Sequence, residues 1–384
     1  MAITRIPIEA FLELAAHYPV LDVRSPGEFS HAQIPGAISL PLFTDEERKV
    51  VGTAYKQESR QKAIKLGLAF FGKKMVQMVE EVEALFEKDS TKKESKKNKE
   101  GDPPGNPTVL VHCWRGGMRS AGVAWLLDLY GYKVYTLAGG YKAYRNWVLQ
   151  QFEKEYPIHI LGGYTGSGKT EVLHALAKSK QTMIDLEGLA NHKGSAFGNL
   201  GLPPQPSQEM FENLLAAELY RIMEKRKQEA EDAGKELTKD ILSKCIWLED
   251  ESQRIGEVNI PAVLFRHMRT KPIFFLNIPF EERLKYIVLH YGKFEKAQLI
   301  NAIMRIKKRL GGLETKTAIN AILEDNIEDC FAVLLRYYDK FYLKSLQNRE
   351  DFSSLFNKLD LPAVSDKDTA KSLLAFVAEA RING

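Results

Sequence analysis

The sequence predicts an α/β fold class: an N-terminal parallel-sheet domain, then a second α/β domain built on a phosphate-binding loop, with a helical C-terminal region. Three observations carry this. Short apolar runs bounded by turn residues alternate with helix-period segments, the pattern of parallel strands joined by crossover helices. Two of those runs lead straight into glycine-rich loops that open helices, VLVHCWRGGMRS at residues 109–120 and IHILGGYTGSGKT at 158–170. From Phe280 onward the pattern turns almost wholly helical.

In the first half, PVLDVR (19–24), AISLP (37–41), VLVHC (109–113) and KVYTLA (133–138) read as buried strands. Residues 45–86 read as mostly helical, with apolar side chains at i, i+3 and i+4 spacing in KMVQMVEEVEALF (74–86). Residues 120–129, apolar and without proline, form the helix behind the first loop. KDSTKKESKKNKEGDPPGNP (88–107) has almost nothing to bury and is expected to be a flexible, lysine-rich insertion. The second unit offers strands beginning at His159, Met183, Cys245, Ala262 and Pro272, with a long helix over 208–234. The junction is placed near residues 155–157, giving domains 1–155 and 156–384.

Composition narrows the function classes. At 384 residues the chain can hold two or three cores, and 44% hydrophobic with 27% charged residues is ordinary for a soluble protein. No stretch approaches the run of about 18 apolar residues that a membrane span needs, and the N-terminus does not read as a signal peptide. Three cysteines, Cys113, Cys245 and Cys330, lie far apart and without C-x-x-C spacing. That argues against a disulfide framework or a zinc site and for a reducing, cytoplasmic compartment. A net charge of +4 permits a nucleic-acid partner without identifying one. The expectation is a cytoplasmic enzyme, monomeric, with no membrane partner and no tightly bound cofactor.

The first loop places Cys113 and Arg119 at C-x5-R spacing. Backbone amides curling into a helix N-terminus converge on negative charge, so a cysteine at the start of such a loop is expected to be a nucleophilic thiolate. Gly116 and Gly117 let the backbone turn its amides inward, Ser120 completes the anion loop, and Arg115 and Arg119 are expected to add guanidinium donors for an oxyanion. Spacing alone leaves two chemistries open, group transfer on sulfur and the cysteine phosphatase reaction.

The second loop is a Walker A motif, G-x-x-x-x-G-K-T, in strand-to-helix context. Gly163, Thr165, Gly166, Ser167 and Gly168 would wrap a di- or triphosphate, Lys169 would reach its terminal phosphate, and Thr170 would bind magnesium where the reaction uses it. Acids at later strand ends are candidates for metal or water positioning: Asp185 and Glu187, then Glu249, Asp250 and Glu251, with Arg254 as a candidate phosphate clamp. An NTPase, a kinase and an enzyme gripping a prenyl diphosphate all need this loop.

LDVRSPGEFSHAQIPGAISLP (21–41) strongly resembles the opening of a rhodanese domain, and LAGGYKAY (137–144) the segment that closes it. Asp22 and Arg24 then read as a buried ion pair. Together with GGYTGSGKT, DLEGLANHKGSAFG (185–198), WLEDESQRIGEVNIP (247–261) and YDKFY (338–342), the whole chain resembles the tRNA 2-selenouridine synthase family. That resemblance implies action on 2-thiouridine at wobble position 34 of tRNAs for Lys, Glu and Gln, with geranyl diphosphate and selenophosphate as co-substrates and a selenophosphate supplier as partner. The P-loop would hold the geranyl diphosphate, and Cys113 would carry selenium as an S-selanylcysteine. The rival expectations are an ATP-dependent tRNA sulfurtransferase and a cysteine phosphatase fused to a kinase-like domain. Basic segments 221–227, 266–271 and 305–309 are candidate contacts to the tRNA backbone.

Overall fold

The computed structural model describes residues 3–90, 107–232 and 244–382. The chain divides into two compact units, Met1–Gln150 and Gln151–Gly384.

The first unit is a parallel sheet of β1 (Thr4–Ile6), β2 (Val20–Asp22), β3 (Ile38–Ser39), β4 (Thr108–His112) and β5 (Lys133–Leu137), in the order β1-β5-β4-β2-β3. Strands covered on both faces must be apolar throughout, and Leu21, Val109, Leu110 and Val111 are fully buried. The four strands expected here are present, three of them shorter than expected and β4 shifted one residue earlier. β1 was not anticipated: three residues at an edge carry too short a pattern to read, and the strand forms by pairing with β5. The helical stretch after Phe43 is three helices, Asp45–Gln57, Arg60–Gly72 and Met75–Ser90. Thr44 opens the first with a capping box to Glu47. Residues 88–90 thus continue a helix, and the rest of the expected insertion, 91–106, lies outside the described residues. Helix Met118–Tyr130 follows β4 and stops at Gly131, whose φ of 112° suits only glycine.

The second unit has a parallel sheet of β6 (Ile158–Gly163), β7 (Thr182–Met183), β8 (Ile246–Glu249), β11 (Ile273–Asn277) and β12 (Phe356–Asp360), ordered β12-β11-β6-β8-β7, plus an antiparallel pair of β9 (Arg254–Ile255) and β10 (Val258–Asn259). Helix Lys169–Lys178 packs on the sheet through Val172, Leu173 and Leu176, sharing a core with Trp247, Phe274 and Leu276. Helices Phe280–Tyr291, Lys296–Leu310, Gly312–Leu323 and Ile327–Gln347 build a separate helical core around Leu299, Ile303, Ile322 and Leu335.

Two expectations fail here. The run from Ala262 is the helix Ala262–Arg269, which buries Leu264 and Met268 one turn apart. A four-residue apolar run does not distinguish strand from helix, and Pro261 at the helix start was the deciding signal. The C-terminal region also returns to the sheet: FNKLD pairs along β11 as an edge strand. Its side chains are mixed in polarity and only partly covered, so ladder hydrogen bonds hold it together with Leu359 packed against the core and Phe356 beside Phe275.

Candidate functional site

Each unit places its loop at the carboxyl end of a central strand, where open α/β sheets bind ligands. In the first unit Cys113 follows β4, and the loop 113–117 feeds helix Met118–Tyr130. Cys113 is 3% exposed, with Sγ 3.2 Å from the Ser120 hydroxyl. Ser120 has one hydroxyl proton and a second acceptor in reach, the Gly117 carbonyl at 3.1 Å. A thiolate, the stronger acceptor, takes that proton. Burial pushes the thiol up, but the Ser120 hydroxyl and the amides of Gly117, Ser120 and Arg115 outweigh it, so Cys113 ionises below its ordinary range.

The turn after β5 closes this loop from outside. Tyr141 N–H donates to the Cys113 carbonyl at 2.8 Å and Lys142 N–H to the Trp114 carbonyl at 3.0 Å. Gly116 and Gly140 both have φ of +61°, and a Cβ on Gly140 would collide with the Cys113 carbonyl. Beneath it lies the Asp22–Arg24 pair at 2.6 Å, fully buried, with the guanidinium 3.8 Å over the Tyr141 ring. His112 sits 3.6 Å from Asp22. Its burial, aided by Arg24, pulls its pKa to about 4 against the opposing pull of Asp22, so it is neutral at pH 7. The expected guanidiniums divide. Arg119 Nη1 donates to Glu28 at 2.8 Å, while the Arg115 side chain is exposed and contributes its backbone amide to the thiol. The anion nest is therefore made of amides and one hydroxyl.

In the second unit the loop follows β6. Gly163, Gly166 and Gly168 take φ of +155°, +82° and +70°, and a Cβ on Gly166 would press into Ile287 and the Arg283 carbonyl. Ser167 Oγ donates to the Tyr164 carbonyl at 2.7 Å, closing the loop on itself. Lys169 Nζ reaches back to the Gly163 carbonyl at 3.1 Å. Thr170 donates its hydroxyl to Glu187 at 3.1 Å. Carboxylate oxygens of Glu187, Glu249 and Glu251 all lie within 4.8 Å of one another. Glu249 is fully buried, and among the described residues neither of its oxygens has a hydrogen-bond partner. Burial and their mutual repulsion raise all three, Glu187 and Glu251 to about 8. A buried carboxyl without a donor is costly unless a cation faces it, so this donor set fits a hard divalent ion.

The other expected acids are engaged elsewhere. Asp185 caps helix Leu186–Ala190 through Gly188 N–H and meets His174 at 3.1 Å. Asp250 accepts from the Tyr342 hydroxyl at 2.6 Å and from Arg349. Arg254 lies exposed on the β9–β10 hairpin, donating to the Gly256 carbonyl at 2.8 Å.

Residues carrying no role at the sequence level hold the P-loop. Buried Arg283 donates to the Thr165 carbonyl at 3.0 Å and grips Asp339 through two bonds of 2.9 and 2.7 Å. The Gly163 amide donates to Tyr342 Oη at 3.2 Å, and the Ala196 amide to Tyr338 Oη at 3.1 Å. YDKFY thus ties helix Ile327–Gln347 to the loop. Its only sequence signal was its part in the family resemblance.

A cavity of about 400 Å³ opens beside this loop. Residues 165–170, Glu187, Glu251, Lys193 and Arg309 give it charge, and buried Phe197, Ile287, Phe331, Leu334 and Leu335 give it an apolar wall. It lies within the second unit.

Fold and site define a class: a P-loop protein whose first unit carries a thiolate-forming cysteine loop. Over residues 156–360 the chain matches the tRNA 2-selenouridine synthase AAA domain, and over 9–146 the rhodanese-like domain. It is 35% identical over 331 residues to the tRNA 2-selenouridine synthase of Sulfurovum sp. (strain NBC37-1), covering 81% of this chain and 80% of that protein. Against the tRNA 2-selenouridine synthase of Shewanella sediminis it is 33% identical over 378 residues, covering 90% and 92%. The same enzyme of Hydrogenovibrio crunogenus is 33% identical over 374 residues, covering 88% and 93%. The chain belongs to the tRNA 2-selenouridine synthase family. Among the described residues no helix is long and apolar enough to cross a membrane.

Proposed function

We propose that this chain is a tRNA 2-selenouridine synthase that converts 2-thiouridine at wobble position 34 of tRNAs for Lys, Glu and Gln. The 2-thio sulfur attacks the allylic carbon of geranyl diphosphate, the carbon–oxygen bond breaks, and diphosphate leaves. Selenophosphate then loads Cys113: the sulfur–selenium bond forms as the phosphorus–selenium bond breaks, phosphate leaves, and a disulfide takes up the two electrons. The perselenide attacks C2, the carbon–sulfur bond breaks and geranylthiol leaves, and a thiol returns the two electrons by cleaving the sulfur–selenium bond. One observation carries the first step: the cavity joins a P-loop to a buried apolar wall. A ligand with a diphosphate head and a short hydrocarbon chain satisfies both, and about 400 Å³ falls in the ordinary range for small-ligand sites.

Lys169 and the loop amides would stabilise charge building on the departing diphosphate. Magnesium, where it takes part, would be held by Thr170 with Glu187, Glu249 and Glu251 and would neutralise part of that charge. In the other unit the Ser120 hydroxyl and the loop amides lower the Cys113 pKa, which favours the nucleophilic form that would carry selenium. Cytoplasmic location and a selenophosphate-supplying partner accompany this reading.

The test uses the purified chain, an anticodon stem-loop bearing 2-thiouridine, and geranyl diphosphate. Nucleoside mass analysis should show the geranylated base without selenophosphate and 2-selenouridine with it. An ATP requirement for the first product, or indifference to geranyl diphosphate, would favour the sulfurtransferase rival.

A further inference from the structure

The three basic segments differ once their surroundings are known. On helix Gln208–Asp232, Arg221, Lys225 and Lys227 pair with Glu218, Glu229 and Glu224 of the same helix. In the second segment, Arg269 donates to the Ser345 carbonyl. In the third, Lys307, Lys308 and Arg309 are exposed in the last turn of helix Lys296–Leu310, and among the described residues none pairs with an acid. A helix C-terminus favours a cation there. Three in one turn, on a helix with no Asp or Glu, exceed that need.

Arg309 also lines the P-loop cavity, beside Tyr337, Phe341 and Ser345 of helix Ile327–Gln347. Exposure separates these from the apolar wall. Phe331, Leu334 and Leu335 are buried, whereas Phe341 is 48% exposed and Arg309 is open to solvent. The exposed residues therefore form the rim. Tyr337 and Phe341 stand one helical turn apart with ring centroids 4.7 Å from each other, and the Arg309 charge acts on the Tyr337 hydroxyl. Tyr337 is half-buried against the helical core and Phe341 is exposed; an aromatic pair with one open ring, flanked by unpaired cations, is how proteins hold unpaired bases, with rings for the base and cations for the backbone.

We propose that Tyr337, Phe341 and Arg309 form a stacking platform for an unpaired RNA base at the cavity rim, with Lys307 and Lys308 holding the adjoining phosphates. This rests on the tRNA-geranylating reading and adds the place where the anticodon loop enters. A base stacked there lies at the rim of the same cavity that the P-loop residues line.

The experiment measures binding of the whole protein, by fluorescence anisotropy across a salt series, to an unpaired heptamer containing 2-thiouridine and to a duplex of equal charge. Phe341→Ala should weaken the heptamer about 5- to 150-fold, the range for losing one stacking contact, and leave the duplex within about twofold. Phe341→Trp should restore heptamer binding. Lys307→Ala and Lys308→Ala should weaken both RNAs and each lower the salt slope by about 1. Equal losses for heptamer and duplex on Phe341→Ala, or unchanged heptamer binding, would overturn the platform. So would a Phe341→Ala variant that loses only geranyl diphosphate affinity, since the ring would then belong to the prenyl site. Calorimetry of geranyl diphosphate with the wild-type protein separates the two levels. If it binds while Phe341→Ala leaves RNA untouched, the platform alone fails. If it does not bind, the geranylation reading fails, and heptamer-selective loss still supports the platform.

Discussion

The Cys113 loop and the P-loop solve one problem, holding negative charge with backbone amides, and they differ in what holds the loop itself. Around Cys113 the support is backbone on backbone: the Gly139–Gly140 turn closes on the loop, and the amides of Arg115, Gly117 and Ser120 face the sulfur. Around Lys169 the support is side chains from far along the chain, with Arg283, Asp339 and Tyr342 fixing the carbonyl of Thr165 and the amide of Gly163. The first arrangement suits a fixed covalent carrier, because the charged atom belongs to the protein and need not leave. The second suits a ligand that arrives and departs, because side chains outside the loop hold its shape whether or not a phosphate fills it.

The largest test of this division is Cys113→Ser. Selenation should fall below detection while geranylation of 2-thiouridine stays within about twofold of wild type, both read by nucleoside mass analysis. If geranylation collapsed as well, the two loops would share one chemical step and the contrast would dissolve.

Lys169→Ala reverses the pattern. Removing one preorganised charge donor from a developing anion costs about 100- to 1000-fold in rate, so geranylation should slow by that much. Pre-geranylated RNA given to the same variant should still be selenated at near the wild-type rate, because that displacement releases no diphosphate. Equal slowing of both steps would mean that Lys169 acts beyond the leaving group.

The same contrast explains what was legible in the sequence. Both loops were readable because their residues are contiguous: Cys113 to Ser120 and Gly163 to Thr170 each carry motif, strand end and helix start within one short window. Glu187, Glu249 and Glu251 were visible only as acids near strand ends. Nothing local distinguished them from Asp185, which caps a helix, or Asp250, which the Tyr342 hydroxyl and Arg349 occupy. Arg283 and Asp339 are 56 residues apart and meet the P-loop only in three dimensions. β12 escaped for a similar reason, since an edge strand of mixed polarity is defined by its partner β11 rather than by its own pattern. Arg119 shows the opposite failure. Its C-x5-R spacing pointed to the anion, yet Glu28, ninety-one positions earlier, takes its Nη1.

Asp339→Ala probes the long-range support. It leaves the Arg283 guanidinium buried without its carboxylate, a defect costing about 3 kcal/mol at the lower end of the range for broken buried pairs, the end that fits the partial exposure of Asp339. For a unit of this size that is about 6 to 12 °C in the melting temperature of the second unit. Alkylation of Cys113 by iodoacetamide should be unchanged, because none of the groups that ionise it lies in that unit. An unchanged melting profile would show that Asp339 is not part of the clamp.

The smallest effect tests what ionises the thiol. Cys113 lies below its ordinary value because the Ser120 hydroxyl and three amides outweigh burial. Alkylation follows the thiolate fraction, so its rate should reach half-maximum at a lower pH than for an unperturbed cysteine. A group with a depressed folded-state pKa adds stability that is present above the unfolded pKa and lost as pH falls through the folded one. The first unit should therefore gain stability toward alkaline pH from this cysteine, and Cys113→Ser should remove the gain. Ser120→Ala deletes the largest favourable contact and should move the alkylation midpoint upward. Arg119→Ala should leave it in place, because that guanidinium is bonded to Glu28. A midpoint that moved with Arg119 and ignored Ser120 would return the loop to the guanidinium-stabilised form expected from spacing alone, and the nest would no longer be one of backbone and hydroxyl.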